Sequence, residues 1–454
     1  MYYILRSYKL NFPVSDLFEI ISKEKNCFFL DSSLNNDSLG RFSFLGIEPF
    51  LILKAKGEDP FKTLRAHLRS WQMPDISEEI PFFGGAVGYL AYDLGFILEE
   101  KIKKKYKFDL GIPDSFFGFY NTVIILDHYK GVFHILALGY PEKKYILAKK
   151  LAETNFKKVL GVISKINVNR REIKSGNDIY AENLRSNFTK AEYLNAVLRA
   201  KEYIRSGDIY QVNLTQQFTA KSKLSSCQIY NRLRNVSPSW FGGYFDTGDF
   251  QIISSSPERF LKLDGNTVIT RPMKGTRPRS RNRLKDSQFR QELLHSPKDK
   301  AELMMIVDLE RNDLGKVCSY HSVKVAALRE LEEYRTVFQT IASIEGKLHK
   351  NKDRIDLLRA CFPGGSIVGC PKIRAMEIIE ELEPDRRSIY TGCLGYLSFS
   401  GGMDFNILIR SILKKGDNLY FGVGGGIVAD SKPEEEYQET LVKAKGILKA
   451  INAR

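Results

Sequence analysis

The chain has 454 residues, 43% of them hydrophobic and 12% aromatic, which is enough to build a large buried core and excludes wholesale disorder. Its formal net charge is +15, but the basic residues are spread along the chain, so we expect no nucleic-acid partner. There is no run of about 18 apolar residues, no secretory leader and no Cys-x-x-Cys pair, so we expect a cytoplasmic protein without membrane contact, disulfides or a zinc site.

The N-terminal region, residues 1–166, has the pattern of mixed α/β structure. Its apolar runs at 50–53, 122–126 and 133–138 predict strands. The polar stretch at 167–187, rich in Asn, Arg, Lys and Ser, predicts a linker to the second region, residues 188–454.

The second region opens with a clear helix signal. Thr189 and Glu192 have the spacing of a capping box, Phe188 and Tyr193 that of a hydrophobic staple, and Gly207 ends the helix. The strands predicted beyond it lie at 211–214, 250–254, 267–271, 392–399, 406–412 and 419–423. Because strands and helices do not alternate regularly, an α+β fold with antiparallel sheets is indicated.

Two of the later helices carry paired acids. One helix begins at the Ser-Pro of 296–297 and places Asp299 and Glu302 on one face; the other presents Glu436 and Glu439 with the same spacing. Each pair alone is typical of a solvated helix face. Two pairs that converge would offer only carboxylates, which favour a hard cation such as Mg²⁺.

Further residues have the chemistry of an anion site. Gly424, Gly425 and Gly426 allow backbone amides to approach a carboxylate closely, although a tight turn explains them equally well. Arg410, on a predicted strand, and Tyr390 supply side-chain donors suited to a carboxylate, or are an ordinary surface Arg and half-buried Tyr.

Four ordered segments resemble signatures of the chorismate-utilising enzymes. They are PGGSIVGCPKIRAM at 363–376, IVDLERND at 306–313, SSPER at 255–259 and VADS at 428–431. The resemblance covers nearly all of 188–450, and more weakly the N-terminal half. It implies an α+β fold with two large antiparallel sheets in a sandwich flanked by helices, and an active site in the cleft between the sheets. It also implies that the N-terminal half adds strands to the same body.

The resemblance also reduces the number of reactions expected of this chain. Water-using members of the family carry a lysine base where this chain has Gln211, which argues against isochorismate and salicylate synthesis. Anthranilate synthases have a small residue where this chain has Lys274, whereas aminodeoxychorismate synthases typically have lysine. The resemblance therefore implies conversion of chorismate and ammonia to 4-amino-4-deoxychorismate, a p-aminobenzoate and folate precursor, with anthranilate synthase component I as the alternative.

In the implied mechanism Lys274 adds covalently to the substrate ring and Glu258 acts as general acid and base. An ordinary lysine is uncharged in only about one molecule in 2,500 at pH 7, so burial must lower the pKa of this amine. Glu302 and Glu439 are implied as direct Mg²⁺ ligands, with Asp299 and Glu436 acting through water. The implied substrate-binding residues are Gln211, Thr276, Tyr390, Arg410, Lys443 and the amides of Gly424, Gly425 and Gly426.

The sequence lacks a Gly-x-Cys-x-Gly nucleophile, so the resemblance implies ammonia from a separate glutamine amidotransferase subunit. Three residues depart from the family pattern: Gln339 replaces a common histidine, and Val368 and Cys370 replace threonine and alanine. The resemblance also marks Asp31 and Ser32 as a possible tryptophan pocket, with aspartate in place of the usual glutamate.

Overall fold

The computed structural model describes residues 2–34, 39–73, 79–102, 107–166, 180–335 and 337–453. In that part of the chain, two large antiparallel sheets pack together with helices outside them, which confirms the fold class. The helices are α1 (Val14–Ile21), α2 (Phe61–Ser70), α3 (Gly95–Leu98), α4 (Tyr145–Ile163), α5 (Lys190–Arg205), α6 (Ser226–Val236), α7 (Arg283–His295), α8 (Pro297–Gly315), α9 (Arg354–Cys361), α10 (Lys372–Leu382) and α11 (Pro433–Ala450).

The chain contributes consecutive groups of strands first to one sheet and then to the other. They are β1 (Tyr3–Lys9), β2 (Phe28–Asp31), β3 (Phe42–Gly46), β4 (Leu51–Ala55), β5 (Gly85–Leu90), β6 (Ser115–Tyr120), β7 (Thr122–Asp127), β8 (Val132–Leu138), β9 (Glu182–Ser186), β10 (Gln211–Lys221), β11 (Phe241–Asp246), β12 (Gln251–Ser256), β13 (Arg259–Asp264), β14 (Thr267–Arg271), β15 (Met273–Pro278), β16 (Lys324–Glu333), β17 (Val337–Lys347), β18 (Gly369–Cys370), β19 (Cys393–Ser398), β20 (Met403–Ile407), β21 (Ser411–Lys415) and β22 (Asn418–Ile427).

Both sheets contain strands from both halves of the sequence. The first sheet has the order β1-β8-β7-β3-β2-β11-β12-β21-β22-β10-β18, with β9 also on β10; the second has β15-β17-β14-β13-β20-β19-β5-β6-β4, with β16 on β17. The halves meet where β2 pairs with β11 and where β5 pairs with β19. Of the predicted linker, 167–179 lies outside the described residues, and Glu182–Ser186 forms β9.

Apolar side chains of the two sheets meet to form the main core. Phe28 and Phe44 of the first sheet belong to one buried cluster with Val87 and Phe405 of the second. A second cluster lies under the helices that cover the first sheet, where Phe18 of α1 and Ala444 of α11 are buried. Buried packing therefore holds in place the two sheets that border the predicted cleft.

The local helix signals of the sequence are confirmed. The Thr189–Glu192 capping box is formed in both directions, and the rings of Phe188 and Tyr193 meet edge to face with centroids 5.7 Å apart. Ser296 caps α8 by accepting a hydrogen bond from the Asp299 amide. The residues that cap a helix lie within one turn of its start, so these helix starts can be predicted from the sequence alone. No helix in the described ranges combines the length and apolar character needed to cross a membrane.

The single strand predicted over 406–412 is wrong. Strand β20 ends at Ile407 in the second sheet, and β21 begins at Ser411 in the first. The three residues between them carry the chain across the sandwich, and Arg410 has a φ of 50° there. Both strands bury residues in their own sheet, so residues 406–412 resemble one continuous apolar run in the sequence. Neither the hydrophobic period nor the expected burial therefore indicates that the chain crosses from one sheet to the other.

Candidate active site

The site is built around a distorted strand, β15. Its pairing with β17 shifts register between Lys274 and Thr276, at Gly275, which has a φ of 72°. A Cβ at Gly275 would also lie 3.0 Å from Asp299 Oδ1. A bulge of this kind re-aims the neighbouring side chains, and here only glycine fits both the dihedral angle and the space.

The Lys274 amine is enclosed by protein. Its Nζ donates a hydrogen bond of 3.3 Å to the Ser366 carbonyl. Burial lowers the pKa of this amine, with Lys443 acting in the same direction, whereas the carboxylates of Glu302, Glu258 and Glu439 act to raise the pKa. The net direction is toward the neutral amine that a nucleophile requires.

Glu258 lies at the turn between β12 and β13 and is 4% exposed. Burial raises its pKa to about 7, against the opposing effects of a hydrogen bond from Ser366 and the charge of Lys274. Ser366 Oγ donates to Glu258 Oε1 over 2.5 Å, while the carbonyl of the same residue accepts from Lys274. Ser366 therefore joins the two predicted catalytic groups.

Gln211 is fully buried at the start of β10, beside the same amine. Neither its Oε1 nor its Nε2 has a hydrogen-bond partner within the described residues. A buried carboxamide without partners is energetically unfavourable, so it is suited to a polar group that enters the cleft. Cys370, one of the departures from the family pattern, stands opposite Gln211 in the β10–β18 pairing.

The three glycines of β22 lie in a regular strand rather than in a turn or nest. Gly424, Gly425 and Gly426 pair with Thr215, Leu214 and Asn213 of β10. On its other side β22 pairs with β21 only up to Tyr420, so the outward amides of this stretch face the cleft edge. The glycines are needed for space: a Cβ at Gly426 would lie 2.5 Å from Gln211 Nε2 and 3.5 Å from Lys274 Nζ.

Substituting Gly426 by alanine should therefore lower kcat/KM by about 10- to 100-fold while leaving the fold intact, since the nearest atoms are side-chain ends that can shift. Steady-state kinetics and the melting temperature check this. The control is Gly161→Ala in α4, where no atom lies within 4 Å of the new Cβ. Wild-type kinetics in Gly426→Ala would contradict the placement of Lys274 and Gln211.

The two acidic helices converge on this region. A Cβ at Gly425 would lie 3.4 Å from both Glu436 Oε2 and Glu439 Oε1 of α11. Burial raises the pKa of Glu302 on α8, and the charges of Asp299 and Glu436 raise it further. Burial also raises the pKa of Glu436, against the opposing effect of a hydrogen bond from Ser431, and the charge of Glu439 raises it further. Neighbouring carboxylates make one another's ionisation less favourable, and a bound hard divalent cation would remove this repulsion.

In the described ranges, no three Asp, Glu, His or Cys side chains are grouped closely enough to hold a metal ion as they stand. Each of the four acids has a protein cation beside it. Arg277 donates to Asp299 over 3.0 Å, Lys443 is 2.7 Å from Glu439, and Lys298 is 3.9 Å from both Glu302 and Glu436. The residue types fit Mg²⁺, and three protein cations lie beside the four acids.

The substrate-binding residues are only partly brought together. Arg410 donates to Gln339 Oε1 over 3.5 Å, and Gln339 Nε2 donates to Thr276 Oγ1 over 3.4 Å, so these three side chains form one chain of contacts. Burial lowers the pKa of Arg410. A buried guanidinium without a carboxylate contact in the described structure is suited to an anionic ligand.

Tyr390 and Lys443 have protein contacts of their own. The Tyr390 ring lies against Gly422, where a Cβ would be 2.3 Å from a ring carbon, and no described hydrogen bond joins it to Arg410. Burial raises the pKa of its hydroxyl. Lys443 donates to the Gly424 carbonyl over 2.8 Å in addition to its ion pair with Glu439.

Asp31 and Ser32 have hydrogen-bond partners other than Lys274. The Asp31 carboxylate is buried and accepts from Arg234 Nε over 2.6 Å and from the Tyr230 hydroxyl over 2.9 Å. Ser32 Oγ donates to the Trp240 carbonyl. The carboxylate is therefore held by protein groups, and a tryptophan pocket here stays a prediction.

Sequence reasoning missed three residues of the site: Ser366, Lys298 and Arg277. Ser366 lies within the quoted PGGSI segment, so a polar residue between glycines was a usable signal. Lys298 and Arg277 gave no signal, because pairing between separate elements depends on tertiary structure.

Comparison with known proteins agrees with this geometry. A family model described as chorismate binding enzyme matches residues 25–449. The chain belongs to this family. This chorismate-binding enzyme is 39% identical over 396 residues to aminodeoxychorismate synthase component 1 of Salmonella typhimurium, covering 86% of this chain and 82% of that one. It is 36% identical over 456 residues to anthranilate synthase component 1 of Thermus thermophilus, covering 97% and 96%.

The chorismate-binding enzyme is also similar in structure to anthranilate synthase component I from Streptococcus pneumoniae TIGR4. The TM-score is 0.79 at 30% identity, over 91% of this chain and 93% of that one. Relatives of both activities thus lie in the same range of identity, and the family assignment does not choose between them.

Proposed function

We propose that this enzyme is component I of aminodeoxychorismate synthase, which converts chorismate and ammonia to 4-amino-4-deoxychorismate. The observation that supports this choice over anthranilate synthase is the enclosed amine of Lys274, 3.3 Å from the Ser366 carbonyl whose own hydroxyl binds Glu258. A direct attack by ammonia would not need an amine at that position, whereas a covalent route does.

In the proposed first step the neutral Lys274 amine forms a bond to C2 of the ring, both ring double bonds shift, and the C4 hydroxyl departs. Glu258 supplies the proton that converts the hydroxyl to water, a role for which its pKa of about 7 is suited. In the second step ammonia bonds to C4, both double bonds shift back, and the C2–nitrogen bond breaks, which restores the free amine. The surplus proton of the added nitrogen returns to Glu258. The sum is chorismate and ammonia giving aminodeoxychorismate and water.

The substrate is a dianion, and we assign its carboxylates to two groups of donors. The buried guanidinium of Arg410, with Thr276 and Gln339 in contact, would hold one. Glu302, Glu436 and Glu439, with Asp299, would hold Mg²⁺, which would screen these acids and bind the ring carboxylate. The unpartnered carboxamide of Gln211 is placed to contact a polar group of the substrate or ammonia.

We further propose that a separate glutamine amidotransferase supplies the ammonia. Free ammonium at high pH should replace that partner, because ammonia itself is the nucleophile. An isolated chain that is active only with an amidotransferase, whatever the ammonium concentration, would contradict this assignment.

The deciding experiment is product identification from chorismate, Mg²⁺ and ammonium salt. We expect a product that yields p-aminobenzoate only after a lyase is added. The alternative, anthranilate synthase component I, is favoured by the Thermus and Streptococcus relatives and would give fluorescent anthranilate without a second enzyme. Anthranilate as the main product would overturn the proposal.

A further inference from the structure

Lys298 is placed between the two acidic helices. It lies in the first turn of α8, and its Nζ is 3.9 Å from Glu302 Oε1 on the same helix and 3.9 Å from Glu436 Oε1 on α11. These distances are too long for hydrogen bonds, so the attraction is electrostatic. Its side chain is 52% exposed and has a long flexible stem, so it can leave this position without moving the backbone.

The other cations of the cluster are held differently. Arg277 on Asp299 and Lys443 on Glu439 each make a hydrogen bond to one carboxylate. Lys298 is within ion-pair distance of two carboxylates from two helices, and it makes no hydrogen bond to either. Its ammonium group is equally distant from the Glu302 and Glu436 carboxylates of the two helices.

We propose that Lys298 is the counter-ion of the metal-free site and is displaced toward solvent when a divalent cation binds. The inference rests on the proposed Mg²⁺ role of the four acids. A lysine ammonium and a divalent cation would compete for the same carboxylate oxygens. Lys298 therefore stabilises the metal-free enzyme and weakens metal binding, opposite to the effect expected of a residue that helps to hold the metal.

The test is calorimetric titration of Mg²⁺ into the metal-free wild type, Lys298→Met and Lys300→Met. Lys300 is exposed two residues further along α8 and has no ion pair within the described structure. Both variants lose one positive charge, but only one loses the contact with Glu302 and Glu436. Lys298→Met should bind Mg²⁺ about fivefold more tightly or better, and Lys300→Met within about twofold of wild type.

Thermal unfolding gives a second readout. Without metal, Lys298→Met should melt below wild type, and saturating Mg²⁺ should raise its melting temperature by more than it raises that of wild type. Lys298→Gln should behave in the same way. Equal or weaker Mg²⁺ binding in Lys298→Met than in Lys300→Met, with normal binding by wild type, would overturn this inference alone. A wild type that binds no Mg²⁺ would overturn the proposed metal role as well.

Discussion

Replacing Lys274 by alanine is expected to lower the rate of aminodeoxychorismate formation by about a thousandfold or more. The amine is the proposed covalent nucleophile, and burial has already lowered its pKa toward the neutral form. Alanine also leaves space beside Gln211 and Gly426, so ammonia can enter where the amine was. Any remaining amination should therefore move to C2 and give an ortho-aminated product.

The measurement is a lyase-coupled assay for p-aminobenzoate, run beside direct fluorescence for anthranilate. Lys274→Arg is the informative companion, because it keeps a cation next to Glu302 and Glu258 but provides no neutral amine. It should be as inactive as the alanine variant in the coupled assay. Aminodeoxychorismate formed at the wild-type rate by Lys274→Ala would disprove the covalent route.

Glu258→Gln should reduce kcat by about 10²- to 10⁴-fold, because the departing hydroxyl loses its proton donor. The pH profile separates this role from a structural one. The wild-type rate should fall as pH rises through about 7, where Glu258 ionises, and should fall at low pH as Lys274 becomes protonated. The residual activity of Glu258→Gln should lack the fall at high pH. If the variant still loses activity at high pH, ionisation of a group other than Glu258 causes that loss.

Glu258→Gln should lower the activity but raise the free energy of unfolding at alkaline pH. Because the folded pKa of Glu258 is raised to about 7 from 4.5, its contribution to stability is full below about pH 4.5 and is lost as pH rises through about 7. Glutamine does not ionise, so at pH 8 the variant should be more stable than wild type by up to about 3 kcal/mol, with little difference at pH 4. Chemical denaturation at the two pH values tests this. Burial and, next, the charge of Glu258 raise the pKa of Glu310 to about 8, so this pKa should fall in the variant and add to the same difference at pH 8.

The ordered motifs of the sequence were sufficient to predict the architecture and most of the candidate site. The capping box at Thr189 and the Ser296 cap are decided within one turn, and the helices begin where the sequence placed them. The i, i+3 acid pairs likewise needed only helical periodicity. That Lys274 and Glu258 lie near one another followed from the family resemblance, and the model joins them through Ser366.

The positions of Arg410 and of the β22 glycines in the site could be learned only from the tertiary structure. Arg410 was assigned to a strand because two buried half-strands give one apolar run, yet it lies where the chain crosses between sheets. The glycines of β22 lie in a strand, where Gly426 leaves room for Gln211 and Lys274. That the amides of this stretch bind a carboxylate stays a prediction.

The sequence by itself determined the helix starts and an α+β fold with antiparallel sheets, because periodicity and caps are local properties. Its ordered motifs carried the resemblance to the family, which implied the two-sheet fold and the residue types of the cleft. The sequence did not determine that Lys298 links the two acidic helices, that Arg277 pairs with Asp299, or that Gln211 is buried without a partner. Those facts depend on distances between segments far apart in the chain, which only packing of the two sheets and their helices fixes.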